Sequence, residues 1–173
     1  YYGARNAEIR PGQTVALIGL GPVGLCALQC AQLFGPARIF AIDRVPERLA
    51  AARAAGAIPI DAAQDPLAAI LEATGGQGPD AVIEAVGADE TIRLAIQLVR
   101  VAGVVSVIGV NANMAFPFTM LLALMKDLTF RIGICPVPEL WNDLVPLLQS
   151  GRLRPETVFS HALPLSKGAE ACA

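Results

Sequence analysis

Gly19, Gly21 and Gly24 are spaced G-x-G-x-x-G, directly after the apolar run Val15-Ala16-Leu17-Ile18. Pro22 and Val23 lie between the last two glycines, and Leu25 opens a further apolar stretch. The segment reads as a buried strand, a sharp turn and a helix start. Gly19 lets the chain turn where a side chain would clash. Gly21 leaves room for a pyrophosphate to approach the backbone, and Gly24 lets the helix pack close to the strands. Pro22 suits a first helical turn, where its missing N–H has no ladder partner. A helix start carries roughly +0.5 of a charge and free N–H donors, so a diphosphate is favoured there. The chemistry this predicts is capture of a dinucleotide.

Asp43 sharpens that reading. It closes a second apolar run, Arg38-Ile39-Phe40-Ala41-Ile42, 19 residues after Gly24. A carboxylate at about that distance accepts hydrogen bonds from adenosine ribose hydroxyls. It would repel a 2′-phosphate, so NAD is expected over NADP. Arg44 pulls the other way, since a neighbouring guanidinium could hold that phosphate. The plain alternative for Asp43 is a cap on the turn or helix before Pro46.

Other reactive side chains are few. Cys26 and Cys30 share a helix face at a four-residue spacing. With no His or further Cys beside them, they read as small buried hydrophobes. Cys135 and Cys172 complete the four cysteines; they imply no disulfide framework, and a reducing cytoplasm fits. His161, the one histidine, has no evident ligand or base partner.

Those residues need elements to hold them. Composition is 54% hydrophobic and 16% charged over 173 residues, which suits strands covered on both faces. A net charge of −2 gives no electrostatic footprint for nucleic acid or an anionic membrane. Mean hydropathy is high at +0.54, yet Gly, Pro, Gln or charged residues interrupt every long apolar stretch. No span of about 20 apolar residues results, and no signal-peptide pattern opens the chain.

Strands are expected at 14–19, 38–43, 57–60, 80–84, 103–108 and 128–134. Helices are expected at 22–34, 46–55, 66–74, 89–99, 118–125 and 140–149, with a final helix from Ser166 and the end of one before Arg10. Short apolar strands alternating with helices predict right-handed βαβ units. The fold class is α/β: a doubly wound, parallel, six-stranded sheet of order 3-2-1-4-5-6 with helices on both faces. The ligand then sits at the strand C-termini, between strands 1 and 4. One domain spans 1–173.

The chain resembles the coenzyme-binding, Rossmann domain of the medium-chain dehydrogenases, zinc-dependent alcohol dehydrogenase type. The likeness is carried by residues 15–25 (VALIGLGPVGL), 43–57 (DRVPERLAAARAAGA), 80–87 (DAVIEAVG), 103–110 (GVVSVIGV) and 128–135 (LTFRIGIC). Quinone-reductase-like relatives often carry A-x-x-G-x-x-G instead, so Gly19-Leu20-Gly21 favours the zinc-dependent branch. The resemblance implies that Arg48 flanks the adenosine ribose and Val86 the adenine. It implies that Ile108, Gly109 and Val110 lie beside the nicotinamide. Gly133, Ile134 and Cys135 would offer backbone to the carboxamide. The alternatives are a solvated helix residue for Arg48 and ordinary core for Val86, Ile108 and Ile134.

The resemblance further implies hydride transfer between an alcohol and nicotinamide, with zinc held by a catalytic domain that these 173 residues do not include. This chain is then a fragment, expected to be inactive alone. Competing readings are a methyltransferase, a zinc-independent quinone-reductase-like oxidoreductase, and a nucleotide-binding module without catalysis. A methyltransferase usually places an acid just before the loop, where Leu17 and Ile18 stand here. A homodimer is expected through edge strand 128–134 and the segment 114–125, including Phe116, Phe118, Leu121, Leu122 and Leu124. Alternatively, that segment covers the domain's own core.

Overall fold

Val, Ile and Ala dominate β1 (Thr14–Ile18) and β4 (Ala81–Glu84), and every residue of both strands is buried. These are the two central strands. The computed structural model describes residues 1–159 and 162–171. His161 and Cys172, singled out in the sequence, lie outside the described residues.

The remaining strands are β2 (Arg38–Asp43), β3 (Ile58–Asp61), β5 (Val104–Val107) and β6 (Thr129–Ile132). All pairings are parallel, and the order is β3-β2-β1-β4-β5-β6. The expected fold is therefore the observed one. The sheet grows outward from β1 in both directions, so the chain leaves the neighbouring C-terminal ends of β1 and β4, at the register partners Ile18 and Glu84, toward different strands.

Alternate strand residues feed two cores. On one face Val15, Leu17, Ile39, Ala41 and Ile83 pack under α1 (Tyr2–Asn6), α2 (Pro22–Gln32) and α3 (Pro46–Ala54). On the other, Ala16, Ile18, Ile42, Val82 and Val105 pack under α4 (Pro66–Ala73) and α5 (Asp89–Leu98). Each fully buried Leu or Ile contributes roughly 1.5–3 kcal/mol relative to exposure.

Element ends differ from the sequence reading where local partners decide them. β6 stops at Ile132 because β5, which it pairs from Val104↔Thr129 to Val107↔Ile132, ends there. Residues 133–134 have no ladder to join. The helix expected at 140–149 starts three residues earlier, as α7 (Val137–Gln149): Pro136 and Pro138 fit the cap and first turn, where no N–H is required. The opening helix is a five-residue turn of chain, α1. The helix expected from Phe118 begins at Met120, as α6 (Met120–Met125). The last helix, α8 (Gly168–Ala171), follows a 3₁₀ turn at Leu165–Lys167.

Part of the segment 114–125 covers the domain's own core. Phe116, Phe118 and Leu122 pack on the core below β5, while Met114, Leu121 and Leu124 are exposed. Among the described residues no helix is long and apolar enough to cross a membrane.

Candidate functional site

Gly19 leaves β1 at φ +88, a conformation that L side chains rarely adopt. A Cβ there would lie 2.5 Å from Val86 Cγ2. At Gly24 a Cβ would fall 1.9 Å from the Gly19 carbonyl oxygen, so α2 packs against the turn only because that atom is missing. Gly21 is different. Its backbone is extended (φ −64, ψ −175), and a Cβ would meet nothing within 4 Å. Neither conformation nor packing demands glycine at this position. It is the N-cap of α2, no side chain caps it, and Pro22 follows at the first helical position. A positive helix end thus opens onto free space, which suits an anion.

Asp43 closes β2 beside this turn and is 8% exposed. Its Oδ2 accepts from Leu20 N at 2.6 Å, and its Oδ1 from Arg44 N at 2.8 Å and Val45 N at 2.9 Å. The turn-cap reading is thus found: the carboxylate anchors its own turn and also the glycine loop. The Arg48 guanidinium stands 3.7 Å from Oδ2 with its side chain half exposed, a pair worth at most about 1 kcal/mol. Arg44 is exposed.

Across the β1–β4 gap the sequence reading missed a residue. Glu84 is fully buried, and its Oε1 accepts from Val86 N at 2.8 Å, Gly87 N at 2.9 Å and Thr91 Oγ1 at 2.8 Å. Val86, 49% exposed, overhangs the Gly19 turn rather than joining the core. Ile108 does reach the core, against Gly3. Gly109 abuts Gly87, and Val110 is 89% exposed.

The outer part of the site is a crevice of about 400 Å³ whose lining includes Pro22, Val23, Cys26, Ile108, Gly133 and Cys135. The structure brings these segments together from α2, β5 and β6. Asp43, Arg48, Val86, Gly109, Val110 and Ile134 do not line this crevice; the first three stand by the glycine turn, the inner part of the site. The Ile134 side chain is 96% exposed, so it is not core. Cys30 is buried as expected, but Cys26 is only half-buried and lines the crevice. Burial pushes the Cys26 thiol above its ordinary pKa, with the neighbouring Cys30 adding to the rise. Among the described residues no three His, Cys, Asp or Glu side chains gather as a metal site requires.

The arrangement can hold a diphosphate at the start of α2, a ribose near Asp43 and a flat ring in the apolar crevice. The family described as "Zinc-binding dehydrogenase" matches residues 22–150. A Mycobacterium tuberculosis protein named "Probable zinc-binding alcohol dehydrogenase" is 46% identical over 168 residues, covering 96% of this chain and 43% of that protein. Zinc-type alcohol dehydrogenase B of Aspergillus flavus is 37% identical, covering 98% of this chain and 42% of that one. The solved alcohol dehydrogenase TADH from Thermus sp. ATN1 superposes with a TM-score of 0.94 at 46% identity, over 98% of this chain and 51% of its own. The chain spans less than half the length of the two curated relatives. Matched across three quarters of its residues by the family description, with the glycine turn and parallel sheet in place, this chain belongs to the zinc-binding dehydrogenases.

Proposed function

We propose that this chain is the NAD-binding domain of an alcohol dehydrogenase-like oxidoreductase that moves a hydride between an alcohol and nicotinamide. The observation that carries the reading is Gly21: a glycine that the protein's own packing does not need, at an uncapped helix start beside a buried acid. A pyrophosphate fits where the absent side chain leaves space. The coenzyme supplies the hydride chemistry when bound, and the chain positions it. Gly19, Gly21, Pro22, Val23 and Gly24 form the pyrophosphate turn. Asp43 accepts the adenosine ribose and disfavours a 2′-phosphate, with Arg44 and Arg48 at its rim. Val86 flanks the adenine. Ile108, Gly109 and Val110 border the nicotinamide, and the backbone of Gly133, Ile134 and Cys135 faces its carboxamide. A catalytic domain beyond these residues would provide zinc, which no cluster described here would hold. The free thiols support a reducing, cytoplasmic setting.

Calorimetric titration of the chain with NAD, NADH and NADP tests this. Binding is expected for NAD and NADH, and weaker binding for NADP. No heat with any of the three would overturn the reading, and NADP binding as tightly as NAD would overturn the assignment to Asp43.

The same reading extends to a homodimer formed by β6 edges, supported by the exposed Ile132, Met120, Leu121 and Leu124 beside that edge. Light scattering at high concentration should report twice the chain mass; a monomer would refute the dimer.

A further inference from the structure

Glu84 ends β4 with its side chain wholly out of solvent. Burying a carboxyl group is costly unless it is hydrogen-bonded. Here the donors are all local: Val86 N, Gly87 N and the Thr91 hydroxyl converge on Oε1, the Thr91 hydroxyl also lying 2.9 Å from the Ala88 carbonyl. Oε2 has only a longer 3.2 Å contact with Gly87 N. The same residue's main-chain carbonyl accepts from Ile108 N at 2.8 Å and Gly109 N at 3.1 Å. Two loops, 85–87 after β4 and 108–110 after β5, are therefore tied to one residue.

Their fit is close. A Cβ on Gly109 would lie 2.1 Å from Gly87 N, and one on Gly87 would lie 2.4 Å from Val110 O. Neither loop can shift without moving the other. Nor can the first shift without moving Val86, whose methyl fills the space a side chain at Gly19 would need.

We infer that Glu84 is a positioning residue for the coenzyme, setting the two loops that follow β4 and β5 and holding Val86 against the glycine turn. The ligand rests on the NAD reading above; the tie between the loops does not. Glu84 touches no reacting atom. Its effect passes through Val86 to the adenine end and through Ile108 to Val110 to the nicotinamide end, so disruption should weaken the whole dinucleotide rather than one half.

The test uses the full chain with NADH fluorescence titration, thermal melting and amide hydrogen exchange. Glu84→Gln can keep its oxygen at the Oε1 position with all three donors, and should bind NADH within about threefold of wild type. Glu84→Met keeps the bulk and loses both side-chain acceptors, while the main-chain carbonyl still accepts from Ile108 N and Gly109 N. It should weaken NADH about thirtyfold per folded molecule, as stranding buried donors does. Exchange should rise at Val86, Gly87, Ile108 and Gly109, but not at Arg44 and Val45. Should Glu84→Met fail to fold, Thr91→Val decides. It removes one donor and should weaken NADH about threefold, with faster exchange in 85–87 and a melting temperature within a few degrees. Wild-type affinity in a folded Glu84→Met, or unchanged exchange and affinity in Thr91→Val, overturns the inference. So does lowered melting with affinity untouched. If wild-type chain binds no NADH, the coenzyme reading fails, and the exchange comparison still decides whether Glu84 ties the loops.

Discussion

The inner and outer parts of the site are finished in opposite ways. At the inner end, β2 and β4 each close on a buried acid, Asp43 and Glu84, whose oxygens are met by backbone N–H groups of the loops they anchor. At the outer end, β6 is followed by Gly133-Ile134-Cys135, all exposed, and Val110, after β5, is nearly bare. The inner half is shaped by the chain's own hydrogen bonds, which fix it in place. The outer half presents surface without fastening it. Changes at the inner end should therefore act through shape, and changes at the outer end through contact alone.

The harshest way to break that contrast is to fill the glycine turn. Gly24→Ala puts a Cβ 1.9 Å from the Gly19 carbonyl. It should cost about 3 kcal/mol of stability, the upper part of the overpacking range, read by chemical denaturation. Gly21→Ala places the same methyl in open space. Its melting temperature should stay within a few degrees of wild type while NADH affinity drops about tenfold, because the methyl occupies the approach of the pyrophosphate. Equal effects of the two on stability would show that Gly21 is structural too, and the inner half would lose its proposed vacancy for a ligand.

Asp43→Gly comes next. It should weaken NAD by about 1–3 kcal/mol, the cost of leaving buried donors unpaired, and narrow the preference over NADP. Part of that loss belongs to Leu20 N, which would lose the acceptor that pins the glycine loop. Calorimetry with both coenzymes separates the parts. A change confined to ribose contact would raise NADP binding as NAD falls, whereas loosening of the loop lowers both.

A gentler probe compares thiols across the crevice. Cys135 is exposed at the outer end, and Cys26 is half-buried on α2. Burial raises the Cys26 thiol pKa, so its reactive thiolate appears only as pH climbs above the ordinary thiol range. Iodoacetamide at pH 8 should label Cys135 well before Cys26, and raising the pH should narrow the gap. NADH should slow both, since both line the same crevice. Faster labelling of Cys26 at pH 8 would contradict the ordering.

How much of this was legible in the sequence follows from where each partner sits in the chain. The glycine turn was readable because its three positions act within one strand-to-helix connection. Asp43 was readable because an acid closing an apolar run beside such a turn has a known geometry. Glu84 carries the same mark, an acid at the end of Ala81-Val82-Ile83, yet it was passed over. An apolar strand that ends in Glu does not say whether the carboxyl points to water or into the loop. Gly87 and Thr91, three and seven residues on, were the available hint. The outer residues Ile108 to Val110 and Gly133 to Cys135 came from resemblance alone, because their meeting depends on the pairing of β5 with β6 far along the chain. Which residues of 114–125 pack on the core was beyond reach for the same reason: it is set by the docking of that segment.

The smallest expected effect lies below both halves, in the strand that joins them. Ser106 is in β5, fully buried, and its hydroxyl has no hydrogen-bond partner among the described residues. Its register neighbours are Ile83 on β4 and Arg131 on β6. An unpaired buried hydroxyl destabilises, and replacing it with an apolar group of similar shape removes that cost. Ser106→Ala should therefore raise stability by about 1 kcal/mol in chemical denaturation and leave NADH affinity unchanged. The direction matters more than the size. If the variant is instead destabilised, the hydroxyl has a partner in solution. If affinity falls while stability rises, strand β5 transmits strain to the loop at Ile108, and the outer half is more firmly fastened than its exposure suggests.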